Sequence, residues 1–315
     1  MAETMIEKTI TTYEQGVRLD RCLRLWIPHL QQALIEKAAR KGLLKIDGKK
    51  AKPSHRVLEG QVLSYPKQFQ GLEIEAPEHE ERPLTSADRK WIKSLIIYED
   101  DDMVVINKPA GTPVQKGTKQ HKALDSLMDS YYEGSKTRLV HRLDKDTSGI
   151  FVLARTLPMA RWLTQAFKER TIHKTYWALV CGVPQKKEGL ISLPLTKKAD
   201  STYEKVHVDH EEGLHATTYF RIIESLKDKF AWLELSPKTG RTHQLRVHCA
   251  EGLQTPILGD GKYGGKEAFP MGRTGLHLHA RSLIIPLPNG HTVTFEAPLP
   301  NEQKETLINL GFDLV

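Results

Sequence analysis

The stretch LVHRLDKDTSGIFVLART, residues 139–156, joins a polar loop to an apolar run. Asp, Thr, Ser and Gly side by side favour a tight loop bonded by its own side chains, and the run from Gly149 predicts a buried strand. A loop at the end of a strand often carries a functional residue. Asp144 is therefore a candidate functional carboxylate, although residue chemistry alone favours an aspartate that caps the turn.

The segments on either side predict a mixture of strands and helices. Strands are predicted at 94–98, 103–106, 174–180, 231–235, 282–286 and 293–296, and helices at 123–132, 158–169 and 242–250. Because these elements do not alternate strictly, they predict an α+β fold and disfavour a doubly wound parallel sheet.

Length and charge predict the domain organisation. A chain of 315 residues suggests about two domains. The net charge of +7 and a pI near 9.1 suggest a polyanionic partner such as nucleic acid. Residues 1–66 carry a net +5, whereas residues 67–90 carry a net −2, are rich in Glu and Pro, and read as a linker. We therefore predict a small domain at 1–66, a linker at 67–90 and a larger domain at 91–315.

Composition excludes several classes of protein. With 39% hydrophobic residues the chain can bury a sizeable core, which excludes wholesale disorder. No apolar run approaches the roughly 20 residues that span a bilayer, and the first residues lack a secretory signal pattern. Three cysteines, Cys22, Cys181 and Cys249, lie far apart, so we expect a protein of the reducing cytoplasm without disulfides. Because the sequence has no long apolar run, we also expect no membrane partner.

The N-terminal segment predicts a small αβ unit. A first helix starts near Leu19 and ends before Pro28, and a second covers 31–41 with Gly42 as its C-cap. Asp47-Gly48 is a hairpin signal, and residues 56–58 and 61–63 are predicted to extend the sheet. The basic side of the second helix is either an ordinary solvated face or an RNA-docking surface.

Recognisable cofactor and metal motifs are missing from the sequence. It contains neither GxGxxG nor HExxH, and Gly265 replaces the lysine of a P-loop. Several late residues invite a metal interpretation, but their spacing matches no zinc signature and arginines lie among them. They are His243, His248, Cys249, His277 and His279. We expect no metal and no cofactor.

HRLDKDTSG resembles the signature of the RluA-type pseudouridine synthases, which isomerise uridine in RNA. Further blocks similar to those of the family follow the expected order and extend the resemblance over about residues 91–300. They are INKPAG at 106–111, KTYWALV at 174–180, KTGRTHQLRVH at 238–248, PILGDGKYG at 256–264 and LHLHA at 276–280. The resemblance implies the family's fold, with a mixed, largely antiparallel central sheet.

The resemblance also implies roles for individual residues. Asp144 becomes the catalytic aspartate, Arg246 its ion-pair partner and Tyr176 the active-site tyrosine, with a strand-core tyrosine as the alternative. Arg142 is expected to occupy the space left by a flipped uridine. The remaining substrate-binding candidates are His141, Lys174, Arg241 and Leu278, with His141 more as a structural hydrogen-bonder. Lys174 either supports the loop or touches phosphate, Arg241 either holds a phosphate or caps the turn, and Leu278 either lines the base pocket or packs in the core.

RLDRCL at 18–23 and ARKGLLKIDGKKAKPSHRVLEGQ at 39–61 resemble the small RNA-binding domain first known from ribosomal protein S-four. One departure is Gln31-Gln32, where that domain usually has a Ser-Arg pair. The resemblance implies an RNA-docking surface. Its candidate residues are Lys37, Arg40, Lys41 and Lys49.

Together these patterns predict an RNA pseudouridine synthase. We expect a monomer whose partner is 23S ribosomal RNA or its precursor particles, with transfer RNA as an alternative substrate. Isomerisation gains and loses no atoms, and Asp144 either attacks the anomeric carbon or assists a glycal-type path. A non-catalytic ribosome-assembly protein and a metal-dependent nuclease are weaker alternatives.

Overall fold

The structure is a computed structural model that describes residues 4–28, 30–70, 84–115, 123–133, 136–199, 204–272 and 274–314. The chain divides into two compact units, residues 1–82 and residues 83–315. The boundary falls inside the stretch predicted as a linker. Of that stretch, Lys67–Phe69 form a short 3-10 turn and residues 86–90 already belong to a helix. Residues 71–83 lie outside the described part.

The first unit combines two helices with an antiparallel sheet of order β1-β4-β2-β3. Its elements are β1 (Met5–Thr9), α1 (Leu19–Trp26), α2 (Gln32–Arg40), β2 (Lys45–Ile46), β3 (Lys49–Lys50) and β4 (Val62–Pro66). Leu19 and Leu23 of α1 and Ile35 of α2 are buried in one cluster with Leu63 and Tyr65 of the sheet. The apolar faces of both predicted helices thus build this core.

Two turn predictions in the first unit are confirmed and one strand prediction is wrong. Asp47 and Gly48 have φ of 49° and 75°, as a tight hairpin requires, and Gly42 ends α2 with φ of 71°. Residues 56–58 form no strand of the sheet. Their backbone instead bonds to residues 16–18, with the Val57 amide donating to the Val17 carbonyl at 2.9 Å.

Among the described residues, the second unit is built on a sheet of 11 strands. Its helices are α3 (Ser86–Leu95), α4 (Leu124–Tyr131), α5 (Leu157–Glu169), α6 (Gln244–Val247), continued by a π turn over His248–Gly252, and α7 (Asn301–Leu310). Its strands are β5 (Ile96–Glu99), β6 (Met103–Lys108), β7 (Arg138–Leu139), β8 (Ser148–Ala154), β9 (His173–Cys181), β10 (Glu188–Ala199), β11 (Glu204–Val208), β12 (Leu214–Leu226), β13 (Phe230–Pro237), β14 (Leu278–Pro286) and β15 (Thr292–Glu296).

The strand order is β11-β10-β12-β13-β9-β14-β8-β6-β5, with β15 pairing β14 and β7 pairing β8. Only the β14–β8 pair is parallel among the described strands. This topology confirms the predicted α+β fold with a largely antiparallel sheet. The sequence analysis made no prediction for several elements, namely β7, β10, β11, β12 and α7. Its strand prediction for residues 94–95 is wrong, because these two residues belong to α3.

Strand β8 is the centre of the second unit, because all seven of its residues are buried. Leu163 of α5 packs in the cluster of Ile150 and Val152, whereas α3 and α4 pack in the cluster of Phe151. Helices therefore cover both faces of β8. Gly149 has φ of 108°, and a Cβ there would collide with the backbone of residue 280 in the parallel neighbour β14. The motif requires a glycine here to bring the two strands together.

Candidate active site

A cavity of about 460 Å³ opens beside the start of β8. It is walled by residues 140–147, the end of α5, the start of β9 and the segment 237–246. The structure brings all the predicted catalytic and substrate-binding residues to this one cavity. They are Asp144, Arg246, Tyr176, Arg142, His141, Leu278, Lys174 and Arg241.

The loop that carries Asp144 is bonded to the side chain of Lys108. The sequence analysis did not single out this lysine. The Lys108 ammonium is buried and donates to the carbonyls of Pro109, Thr112 and Lys145 at 2.9, 3.0 and 2.9 Å. Burial lowers the pKa of Lys108 to about 8, against the opposing pull of Asp146 and Asp144. Lys108 thus ties the INKPAG loop to the loop of Asp144, and its place in that block was the signal for it.

His141 forms part of the cavity wall. Its ring stacks on Phe167 at 4.4 Å and lies 4.5 Å from Phe151, and its Nε2 accepts the Val152 amide at 3.0 Å. Burial lowers the pKa of His141 to about 3, so the imidazole is neutral at pH 7. These contacts support the structural role expected for His141 and leave no proton on Nε2 to give to a substrate.

Lys174 and Tyr176 enter the cavity from β9, two positions apart and hence on the same face of the strand. Burial, and then the charge of Asp144, raises the pKa of the Tyr176 hydroxyl, which keeps its proton at neutral pH. Burial, and then the neighbouring Arg170, lowers the pKa of Lys174. Leu278 of β14 adds an apolar wall and is 3% exposed.

Arg246, the predicted ion-pair partner of Asp144, is bonded to another carboxylate in the structure. Arg246 is buried and donates from Nε and Nη2 to Asp260 at 2.8 and 2.6 Å. Asp260 also accepts the amides of Lys262 and Tyr263 at 3.0 and 3.1 Å, so its carboxylate is fixed where the guanidinium can reach it. Against the cost of burial, the bonds and charge of Asp260, and then the charge of Asp144, raise the pKa of Arg246, so its pairing with Asp144 stays a prediction.

The nearest partner of Asp144 is a residue that the sequence analysis considered only as a metal ligand. Nε2 of His243 lies 3.9 Å from Oδ2 of Asp144. His243 has φ of 52° and directly precedes α6. The sequence analysis missed this role, and that of Asp260, although both residues stand in the quoted blocks.

Positive charge dominates the remainder of the cavity. Asp144 is the single carboxylate among the described residues that line the cavity, and six of those residues have cationic side chains. These are Arg142, Lys168, Arg170, Lys174, Arg241 and Arg246. Arg142 is exposed and has no ion pair within the described residues, and Nε of Arg241 reaches only the His215 carbonyl at 3.4 Å. Such a surface suits a polyanion.

The histidines that invited a metal interpretation make separate protein contacts. Nδ1 of His248 lies 2.9 Å from Oγ1 of Thr218, and Nδ1 of His279 lies 2.9 Å from Oγ of Ser148. His277 bonds to the carbonyl of Gly275. In the described ranges, no three His, Cys, Asp or Glu side chains group closely enough to hold a metal ion.

The predicted RNA-binding residues lie on the first unit. Lys37, Arg40 and Lys41 are exposed at the end of α2, and Lys49 is exposed on β3. No helix in the described part of the chain is long and apolar enough to cross a membrane.

Comparison with known proteins places these features in one family. Residues 102–251 match the family model described as RNA pseudouridylate synthase. A protein of Rickettsia conorii named ribosomal large subunit pseudouridine synthase C is 38% identical over 85% of this chain and 88% of its own. The mitochondrial RNA pseudouridine synthase 4 of Arabidopsis thaliana is 44% identical over 56% of this chain and 42% of its own.

Solved structures agree with the sequence relatives. Human RNA pseudouridylate synthase domain containing 4 has a TM-score of 0.60 and 28% identity, covering 72% of this chain and 98% of its own. Human RNA pseudouridylate synthase domain containing 1 has a TM-score of 0.54 and 31% identity, covering 65% of this chain and 83% of its own. The matched region includes Asp144, Tyr176 and Arg246. The chain therefore belongs to the RNA pseudouridylate synthase family and is a pseudouridine synthase, an isomerase.

Proposed function

We propose that the protein converts specific uridines of large-subunit ribosomal RNA to pseudouridine, with Asp144 as the catalytic carboxylate. The observation that carries the proposal is the position of Asp144, a lone carboxylate in a cationic cavity that also contains Tyr176. The name of the rickettsial relative supports large-subunit RNA as the substrate class. We also propose a cytoplasmic site of action and a monomeric enzyme.

The chemistry needs few groups from the protein. The bond between the anomeric carbon and N1 of uracil breaks, the base turns, and C5 joins the sugar. N1 gains a proton and C5 loses one, so the isomerisation balances without a co-reactant. Asp144 supplies a carboxylate that either attacks the anomeric carbon or stabilises its positive charge and removes a proton.

Tyr176 and Leu278 form the proposed base pocket. An aromatic ring stacks on any base, and stacking contributes about 1–3 kcal/mol to binding. Because the Tyr176 hydroxyl keeps its proton, we assign it to stacking and hydrogen-bond donation rather than to proton removal from C5. We propose Asp144 as the group that receives the C5 proton.

The cations around the cavity account for RNA binding. A uridine in folded RNA has to be flipped out of its stack, and we assign Arg142, an exposed residue of the cavity lining, to fill the vacated space. We assign Lys174 and Arg241, which also line the cavity, to contact the sugar-phosphate backbone. We further propose that the first unit is an RNA-binding domain like that of ribosomal protein S-four, docking through Lys37, Arg40, Lys41 and Lys49.

The test is to map pseudouridines in total RNA from cells that lack the protein. The cells are complemented with the wild-type protein or with Asp144→Ala. Sites restored by the wild type alone would establish the activity and identify the uridines. Sites restored equally by both proteins would contradict the role of Asp144. If no site depends on the protein, a role in ribosome assembly would replace the enzymatic proposal.

A further inference from the structure

Among the described basic side chains, one lies within 4.0 Å of the Asp144 carboxylate. Nε2 of His243 lies 3.9 Å from Oδ2, and the two side chains are 16% and 22% exposed. No Lys or Arg nitrogen of the described residues lies within 4.0 Å of the Asp144 carboxylate. The group that addresses the catalytic carboxylate directly is therefore an imidazole.

The imidazole of His243 is anchored on its other side. Its Nδ1 lies 2.7 Å from the hydroxyl oxygen of Tyr263, and the two rings meet edge to face at 5.5 Å. The same hydroxyl accepts the Val206 amide at 3.1 Å. Tyr263 is in turn placed by Asp260, which accepts the Tyr263 amide at 3.1 Å. Two hydrogen bonds, one to the hydroxyl of Tyr263 and one from its backbone amide, thus hold the tyrosine that orients His243.

This arrangement assigns the proton of the imidazole. Burial lowers the pKa of His243, so the ring is neutral at pH 7 and carries one N–H. If Tyr263 donates its hydroxyl proton to Nδ1, the N–H lies on Nε2 and faces Asp144. The opposite tautomer would turn a lone pair towards a carboxylate, which is electrostatically unfavourable. The geometry therefore favours the tautomer with the N–H on Nε2.

We propose that His243 is a positioning residue that orients Asp144 through an Nε2–H held in place by Tyr263. The inference rests on the proposed function, since it needs Asp144 as the catalytic carboxylate. At 3.9 Å the contact is longer than a hydrogen bond, but such contacts often tighten when substrate fills a site and expels water. A neutral donor holds Oδ2 while leaving Oδ1 to the sugar. It also depletes the reactivity of the carboxylate less than a bidentate guanidinium would.

The chain offers a matched set of variants. His243→Asn suits the left-handed backbone at φ 52° but is too short to reach Asp144, whereas His243→Gln keeps an N–H donor of nearly the original reach. Tyr263→Phe keeps the ring that packs on His243 and removes the hydroxyl. His291→Asn, in an exposed turn before β15, is the control. Activity is measured as tritium released from C5 of a large-subunit rRNA transcript labelled with [5-³H]uridine.

We expect His243→Asn to lower kcat about 100-fold, the size of effect of misplacing a reacting group by about 1 Å, with KM within about 3-fold of wild type. His243→Gln should recover at least about 10-fold of that loss, and Tyr263→Phe should lower kcat about 10-fold. A purely structural role predicts instead that Asn and Gln lose activity equally and that Tyr263→Phe loses none, and that result would overturn the inference.

The same assay separates this inference from the proposed function. If the wild-type protein releases no tritium, the proposed function fails and the inference falls with it. If the wild type releases tritium, Asp144→Asn does not, and His243→Asn keeps wild-type kcat, the inference alone is overturned.

Discussion

Removal of the Asp260 carboxylate should destabilise the second unit more than almost any other single truncation of a charge. Asp260 is 1% exposed and accepts two bonds from Arg246 at 2.8 and 2.6 Å. It also accepts two backbone amides, at positions 262 and 263. Asp260→Ala leaves a guanidinium that is 8% exposed without its partner and leaves both amides without an acceptor.

The size of the loss follows from burial. Breaking a buried ion pair by removing one partner costs about 3–5 kcal/mol, because the remaining charge stays desolvated. The pair between Arg221 and Glu234, at 3.2 Å, provides a matched comparison with side chains 52% and 29% exposed. Glu234→Ala should therefore cost at most about 1 kcal/mol. The double variant Asp260→Ala/Arg246→Met removes the stranded charge and should be more stable than Asp260→Ala alone.

The assay is urea unfolding at pH 7, followed by far-UV circular dichroism and by tryptophan fluorescence. Two units can unfold separately, so the transition of the second unit is identified first from coincident probes. A loss below about 1 kcal/mol for Asp260→Ala would refute the reasoning, because it would mean that Arg246 finds another acceptor or water. Asp144 is the obvious alternative acceptor, because its charge already acts on Arg246.

Three further predictions follow from burial, backbone geometry and stacking. Gly149→Ala should lower the unfolding free energy by at least about 2 kcal/mol, because it strains the backbone at φ 108° and brings a Cβ into the backbone of β14. Thermal unfolding measures the loss, and an unchanged Tm would contradict the close approach of β8 and β14. Burial lowers the pKa of His248 and of His279 from 6.5 to about 4, so the unfolded chain binds protons first as the pH falls. The contribution of these two histidines to the free energy of unfolding should be fully present above pH 6.5 and should fall between pH 6.5 and 4 by about 1.4 kcal/mol per pH unit for each histidine. In urea unfolding at several pH values, the unfolding free energy of His279→Gln should therefore fall less steeply with decreasing pH than that of the wild type. Tyr176→Phe should keep KM for the rRNA transcript, whereas Tyr176→Leu should raise it by at least about 5-fold through lost stacking; equal KM values for the two variants would argue against stacking.

Lys108 shows how the fold prepares the loop before substrate arrives. A single ammonium joins three carbonyls of two loops, and one of these carbonyls, that of Lys145, is 37 residues from Lys108 in the sequence. The Gly111 amide adds a fourth tie, to the Lys145 carbonyl at 2.9 Å. A loop held by such bonds does not need to be ordered when RNA binds, which favours catalysis because the carboxylate is already in place.

The sequence by itself determined the elements whose patterns are local. The apolar run after Gly149 predicted β8, the spacing of Leu19, Leu23 and Trp26 predicted α1, and Asp47-Gly48 predicted the hairpin turn. It also determined which residues meet in the cavity, through blocks of sequence similar to those of one family. Elements with weaker patterns were not predictable in this way. Strand β10 contains Pro194 and paired lysines, and α7 buries only Gln303 and Leu307.

Only the tertiary structure decided how the charged groups of the site are paired. The charges of Asp144 and Asp260 both act on Arg246. Neither hydrophobic periodicity nor secondary-structure propensity predicts which of the two carboxylates pairs with it. The chain that follows α6 and its π turn brings Asp260 to the guanidinium and brings the Tyr263 hydroxyl to the ring of His243, which faces Asp144. Ion pairing acts over a few ångströms between residues far apart in sequence, so it depends on the folded coordinates and not on local pattern.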